Sequence, residues 1–186
     1  MSFLKHLFSG ESQGQNAELD HELLQAAWAG DAAKASALID KGASANAKTT
    51  GVLSYGTTAL MAASDHGHLD VVNLLLSKGA RVNDRDDNKP DRSFRKNALM
   101  YASRKHHSEI VKVLIAAGAD VNARMTGGST ALLEACCVHD RDVVEILLAS
   151  GADVNVKTEA GWTPLSVATR EGCVFLADRL REAGAK

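Results

Sequence analysis

Aromatic residues are scarce: Phe, Trp and Tyr make up 4% of the 186 residues. A core of stacked rings is thereby excluded. The interior must be built from Leu, Val, Ile and Ala, within a hydrophobic fraction of 45%. Cysteine is also sparse, with three residues, and two of them, Cys136 and Cys137, are adjacent. A bridge between neighbours would be badly strained, and an odd count suits no disulfide framework. The chain therefore reads as intracellular, reduced and cytoplasmic. No charge sign dominates, since 21 basic and 23 acidic residues leave a formal net charge of −2. Interspersed charges give no global signal for nucleic acid or an anionic membrane. Long apolar runs are missing too, and none approaches the ~20 residues that span a bilayer. The opening Met1-Ser-Phe-Leu-Lys-His-Leu-Phe-Ser-Gly10 is interrupted by Lys5 and His6. It lacks the continuous ~7–15-residue apolar region of a secretory signal. Residues 1–18 read as a tail or a short amphipathic turn.

What the chain does have is a recurring phrase. It appears as Gly42-Ala-Ser-Ala-Asn46, Gly79-Ala-Arg-Val-Asn83, Gly118-Ala-Asp-Val-Asn122 and Gly151-Ala-Asp-Val-Asn155, then begins again at Gly184-Ala185. The glycine spacings are 79−42 = 37, 118−79 = 39, 151−118 = 33 and 184−151 = 33. A period of this size marks a stacked-repeat protein, in which no unit can bury its own apolar face.

Each period holds the same physical pattern. Thr58 offers a hydroxyl to cap a helix, followed by the small and apolar run Ala59-Leu-Met-Ala-Ala-Ser64. Gly67 suits a left-handed helix end. In the next run Val71, Val72, Leu75 and Leu76 fall on one helical face. Gly79 closes that second helix, and Asn83 stands where its amide can brace the following turn. The unit is two short antiparallel helices and a loop.

These residues resemble the ankyrin repeat family, whose unit of about 33 residues carries a T-P-L-H-x-A signature. The signature reads here as Thr58-Ala-Leu-Met, Asn97-Ala-Leu-Met, Thr130-Ala-Leu-Leu and Thr163-Pro-Leu-Ser, with a degenerate first copy around Leu23–Gly30. The resemblance implies an all-α solenoid of about five helix-turn-helix repeats over residues 19–186. Its repeats would fall near 19–47, 48–84, 85–123, 124–156 and 157–186, with protruding loops. The signature histidine is replaced by Met61, Met100, Leu133 and Ser166, so apolar packing is expected where the family uses histidine hydrogen bonds. Arg181 stands where inner units carry Leu76, Ile115 and Leu148, and Lys34 where later units carry Val71, Ile110 and Val143. Both read as polar caps on the ends of a complete array.

The spacing is uneven. From the phrase asparagine to the next helix start the distances are 58−46 = 12, 97−83 = 14, 130−122 = 8 and 163−155 = 8. The first two loops thus carry extra residues, Lys48–Gly56 with Val52, Leu53 and Tyr55, and Asp84–Lys96 with Phe94 among charges. Loops tolerate insertion cheaply, so neutral drift in length is one reading. The other is that these fingers meet a partner, because Tyr55, Phe94 and Trp162 fall on loops and Trp28 near a helix end. Aromatics and Arg most often dominate binding energy. The resemblance places partner contacts on the loop tips and the exposed side of the first helices. Matched residue by residue, that surface comprises Trp28, Asp65, His66, Arg104, Lys105, Cys137, Val138, Arg170 and Glu171. The loop residues Leu53, Tyr55, Phe94, Arg95, Lys96 and Trp162 extend it. Arg92, Arg95, Lys96, Arg104 and Lys105 make its middle basic, which suggests an acidic patch on the partner.

Other chemistry is weakly supported. His66, His68, His106, His107 and His139 recur near one turn, with Cys137 and Cys173 close in register. This His/Cys-rich edge is the basis of the alternative reading, a small-ligand or metal-responsive sensor. However, no Cys-x-x-Cys pair is present. His106 and His139 also occupy the helix-ending slot that Gly30, Gly67 and Gly172 fill elsewhere, and histidine is enriched in left-handed backbone. Asp84-x-Asp86-x-Asn88 imitates a calcium loop, but Lys89 and Arg95 stand where Gly and Glu are required. Gly127-Gly128 has no phosphate-cradle context. Cys136 reads as a small core residue. The expectation is a monomeric, non-catalytic protein-binding module without cofactor, nucleic acid or membrane partner.

Overall fold

The computed structural model describes residues 4–48, 56–86 and 95–186. These form ten helices: α1 Leu4–Ala29, α2 Ala32–Asp40, α3 Ala59–His66, α4 Leu69–Ser77, α5 Ala98–Arg104, α6 Ser108–Ala116, α7 Ala131–Cys137, α8 Arg141–Ala149, α9 Pro164–Arg170 and α10 Val174–Glu182. Each odd helix packs on the even helix after it, and α1, α3, α5, α7 and α9 stack in one row, with α2, α4, α6 and α8 behind. This is the expected all-α solenoid of helix pairs. Helix α1 runs unbroken past residue 18.

Local chemistry starts each unit. Thr58, Asn97, Thr130 and Thr163 accept a hydrogen bond from the amide three residues on, at 3.3, 3.0, 3.5 and 3.1 Å. A cap of this kind contributes about 1 kcal/mol. Ala26, Ala63, Ala102, Ala135 and Ala168 occupy one equivalent position on the first helices, each at most 3% exposed. Methyl side chains there let the helices stack closely. The second helices present Val71, Val72 and Leu75, then Ile110, Val111 and Leu114, then Val143, Val144 and Leu147, all buried. Met61, Met100 and Leu133 are buried as expected for apolar replacements of the signature histidine. Ser166 instead keeps a polar role. It receives the Thr163 amide at 2.8 Å and gives its own amide to Thr163 Oγ1, a capping box.

Three hydrogen-bonded ladders join unit to unit. The first is the phrase asparagine, which braces the turn of the next unit by both ends of its amide. Nδ2 of Asn46, Asn83, Asn122 and Asn155 donates to the carbonyls of Gly79, Gly118, Gly151 and Gly184 at 3.2, 3.0, 3.0 and 3.1 Å. Their Oδ1 atoms accept from the amides of Arg81, Asp120, Asp153 and Lys186. Two residues on, a basic side chain repeats the reach. Lys48 donates to the Arg85 carbonyl, Arg85 to that of Arg124, and Arg124 to that of Lys157.

The third ladder lies at the turn between paired helices. The ring Nε2 of His68 donates to the Trp28 carbonyl at 3.0 Å, and that of His107 to the Asp65 carbonyl at 3.2 Å. Both rings satisfy carbonyls at the end of the preceding unit's first helix. They fit because the residues beneath them are glycines. A Cβ on Gly30 would lie 2.5 Å from His68, and one on Gly67 would lie 2.6 Å from His107. Both glycines also hold left-handed backbone, with φ 77° and 79°. In the next unit the slot is His106 itself, at φ 62°. Its Nδ1 donates to Asp140 at 2.8 Å, and Asp140 also caps α8 through the Val143 amide. His139 takes the same left-handed slot at φ 57°. Most of the recurring histidines are thus explained by the stacking of repeats.

The loops are pinched at their bases, by a bridge between Lys48 and Thr58 and by the Asp86 amide donating to the Lys96 carbonyl at 3.0 Å. The same pinch appears from Met125 to Ser129 and from Thr158 to Trp162. The insertions found by spacing lie between the first two pinches, and their centres, 49–55 and 87–94, fall outside the described residues.

Candidate protein-binding surface

The ends of the first helices form a row of exposed and half-buried side chains. Equivalent positions carry Trp28, Asp65, Arg104, Cys137 and Arg170, and the next positions carry Ala29, His66, Lys105, Val138 and Glu171. Trp28 is 62% exposed, the most open large aromatic among the described residues. His66 packs on it with ring centroids 4.8 Å apart and planes tilted by 58°. The His66 Nδ1 is fixed by donating to the Ala62 carbonyl at 3.0 Å. Asp65 is half-buried beside them.

Between α1 and α3 the row opens into a cleft of about 660 Å³, walled by Leu24, Trp28, Met61, Asp65, His66 and Tyr101 among others. This lies within the usual range for recognition clefts. The Tyr101 hydroxyl donates to Asp86 at 2.7 Å. Burial first, and then the hydrogen bond and charge of Asp86, push its phenol well above the ordinary range, so it stays protonated.

The other expected surface residues are placed as follows. Arg95, Arg104, Lys105 and Arg170 are exposed and Val138 is half-buried. Trp162 is 39% exposed and lies under the Arg170 guanidinium, 4.4 Å from ring centroid to Cζ. Leu53, Tyr55 and Phe94, like Arg92, lie outside the described residues. Lys96 must be removed from the surface, because it is 6% exposed. Its ammonium meets Glu134 at 3.0 Å and lies 5.8 Å from the Tyr101 ring centre. Arg104 reaches the same carboxylate at 3.4 Å. Two of the five cations counted in the basic middle therefore converge on one buried Glu.

Sequence reasoning passed over Tyr101 and Glu134, although a signal was present. Both stand four residues after the helix cap, where the neighbouring units have Ala62 and Val167. A bulky polar residue in a small or apolar slot marks a position used differently. It also passed over Val174 and Phe175, exposed by 70% and 41% at the start of α10, with Arg141 4.0 Å above the Phe175 ring.

Among the described residues no group of three or more His, Cys, Asp or Glu side chains converges to hold a metal. The three cysteines are free. Burial pushes the Cys136 thiol up to about 12 and also raises Cys137, the latter with help from the Glu134 charge. Neither is activated as a nucleophile. No helix of the described residues is long and apolar enough to cross a membrane.

A family model described as ankyrin repeats in three copies matches residues 2–86, 23–125 and 99–186. The chain belongs to the ankyrin repeat family. No curated protein matches it. Ankyrin repeats generally serve as protein–protein interaction modules, and typically they are not enzymes. In this ankyrin chain Trp28, Asp65, Arg104, Cys137 and Arg170 stand at the ends of the stacked first helices.

Proposed function

We propose that the chain is a cytoplasmic, non-catalytic adaptor that captures a partner protein on its first-helix row and the two long fingers. The observation that carries this reading is the open Trp28 at the edge of a cleft, on a stack whose units are otherwise tied together by three ladders. Trp is among the residue types that most often anchor a protein interface. A rigid stack lets binding proceed with little loss of conformational entropy. An interface of ordinary size would bury about 800 Å² on this side. Among the described residues of the basic middle, Arg95 and Lys105 favour an acidic group on the partner, because Lys96 and Arg104 share Glu134.

The test is capture from a lysate of the native host with the tagged full chain, identification by mass spectrometry, and reconstitution with the purified partner. Tyr55→Ala, Phe94→Ala and Lys105→Ala should each weaken the reconstituted complex while leaving the melting temperature nearly unchanged. Normal binding by all three would show that the surface is wrongly drawn.

A further inference from the structure

We propose that the α1–α3 cleft receives an arginine side chain from the partner protein, its guanidinium stacked on Trp28 and paired with Asp65. This deepens the adaptor reading and rests on it.

The chain itself shows what its exposed aromatics take as cover. Trp162 lies beneath the guanidinium of Arg170, and Phe175 beneath that of Arg141, at 4.4 and 4.0 Å. Trp28 is more exposed than either, and its ring contact is the tilted edge of His66. Trp is the best aromatic partner for a cation, and the planar guanidinium of Arg is the cation found on it most often.

The cleft supplies the matching charge. Among its described lining residues, and with the histidines neutral, Asp65 alone carries a formal charge. The nearby His66 Nδ1 is 3.9 Å from that carboxylate, but its hydrogen is committed to the Ala62 carbonyl. Both Asp65 oxygens therefore retain acceptor capacity for a forked donor. The carboxylate is 27% exposed, so a pair formed there is screened less than one on the open surface. Leu24 and Met61 in the cleft wall offer apolar cover for the methylene stem of an arginine. An ammonium would satisfy the charge but would forgo both the stack and the fork.

The sign of this end of the row is opposite to that of Lys105 further along. An arginine on the partner at the Trp28 end and an acidic group toward Lys105 would set the direction in which the partner lies.

The test uses the two indole Nε1–H signals of the 15N-labelled full chain, titrated with N-acetyl-L-arginine amide and with its neutral isostere N-acetyl-L-citrulline amide. The Trp28 signal should shift saturably with the arginine compound at millimolar concentration. Trp162, already covered by Arg170, should hardly move. Asp65→Asn should weaken the titration roughly fivefold, the effect of losing one partly shielded ion pair. Equal shifts with citrulline, an unweakened Asp65→Asn, or no saturable shift would overturn the inference. Tighter binding of free L-arginine than of the capped form would also overturn it, by pointing to a metabolite instead of a protein side chain. The two readings fail separately. If Trp28→Ala still binds the reconstituted partner normally, the arginine pocket fails and the adaptor stands. If the arginine titration succeeds but no partner is captured, the cleft's selectivity for an arginine side chain stands, and its assignment to a partner protein falls with the adaptor reading.

Discussion

The ammonium of Lys96 lies 3.0 Å from the carboxylate of Glu134, across 38 residues of sequence, and both side chains are buried. The pair bridges the base of the second finger and α7 of the following repeat. The Lys96 amide also donates to Asp86 at 2.6 Å, so finger base and helix are tied into one network. Truncating one member of a buried ion pair costs about 3–5 kcal/mol. Glu134→Ala should therefore lower stability by about 3 kcal/mol, read from the urea midpoint. Lys105→Ala, on the open surface, should shift it by less than about 0.5 kcal/mol. The double variant Lys96→Met with Glu134→Leu should recover most of the loss, because apolar pairs of similar volume often replace buried ions without cost. A Glu134→Ala protein as stable as the parent would remove the pair from the structural frame.

The asparagine ladder makes a prediction that is local in space. Asn83 donates to the Gly118 carbonyl and accepts from the Asp120 amide at 3.0 and 2.8 Å. Truncation to alanine removes both bonds from an exposed loop, for a cost of about 1–2 kcal/mol. Repeat stacks communicate mainly between neighbours. In Asn83→Ala the Asp120 amide should lose its hydrogen-exchange protection, whereas the Asp153 amide, held by Asn122 at 2.8 Å, should keep its own. Uniform loss at both amides would mean that the ladder acts as a single cooperative unit.

How far these relationships could be read from sequence depends on their range. Thr58, Asn97, Thr130 and Thr163 are legible as caps because a cap is a property of four consecutive residues. The left-handed slots of His106 and His139 are legible by comparison with the glycines of other units. The finger insertions follow from arithmetic on the repeat. Lys96 was misplaced because a count of cations along one loop cannot see Glu134 in the next repeat. The basic ladder of Lys48, Arg85 and Arg124 was hidden for the same reason, since its acceptors are backbone carbonyls with no sequence signature. Trp28 is legible as a surface aromatic, but the cleft beside it is made by α1, α3 and Tyr101 together. Such a site exists only once the repeats are stacked.

Alkaline stability should report on one buried group, Cys136, and one partly buried group, Tyr101. Burial moves the Cys136 thiol from its ordinary 9.0 to about 12, with smaller contributions from Cys137 and Cys173. Burial and Asp86 likewise raise the Tyr101 phenol from 10.0. In the unfolded chain the thiol releases its proton near pH 9, whereas in the folded chain it keeps it. Between these values the folded state binds more protons, so unfolding free energy falls as pH rises. The contribution is fully present below pH 9 and is lost progressively up to about pH 12, at no more than about 1.4 kcal/mol per pH unit for one group. Tyr101 adds a second fall that begins near pH 10. Urea midpoints measured from pH 7 to pH 11 should therefore decline above pH 9. Cys136→Ala should be less stable at pH 7 because it leaves a small cavity, yet its decline between pH 9 and 10 should be shallower. Tyr101→Phe should soften only the part above pH 10. Parallel curves for the parent and Cys136→Ala across pH 9–10 would show that the thiol is not held neutral by the fold.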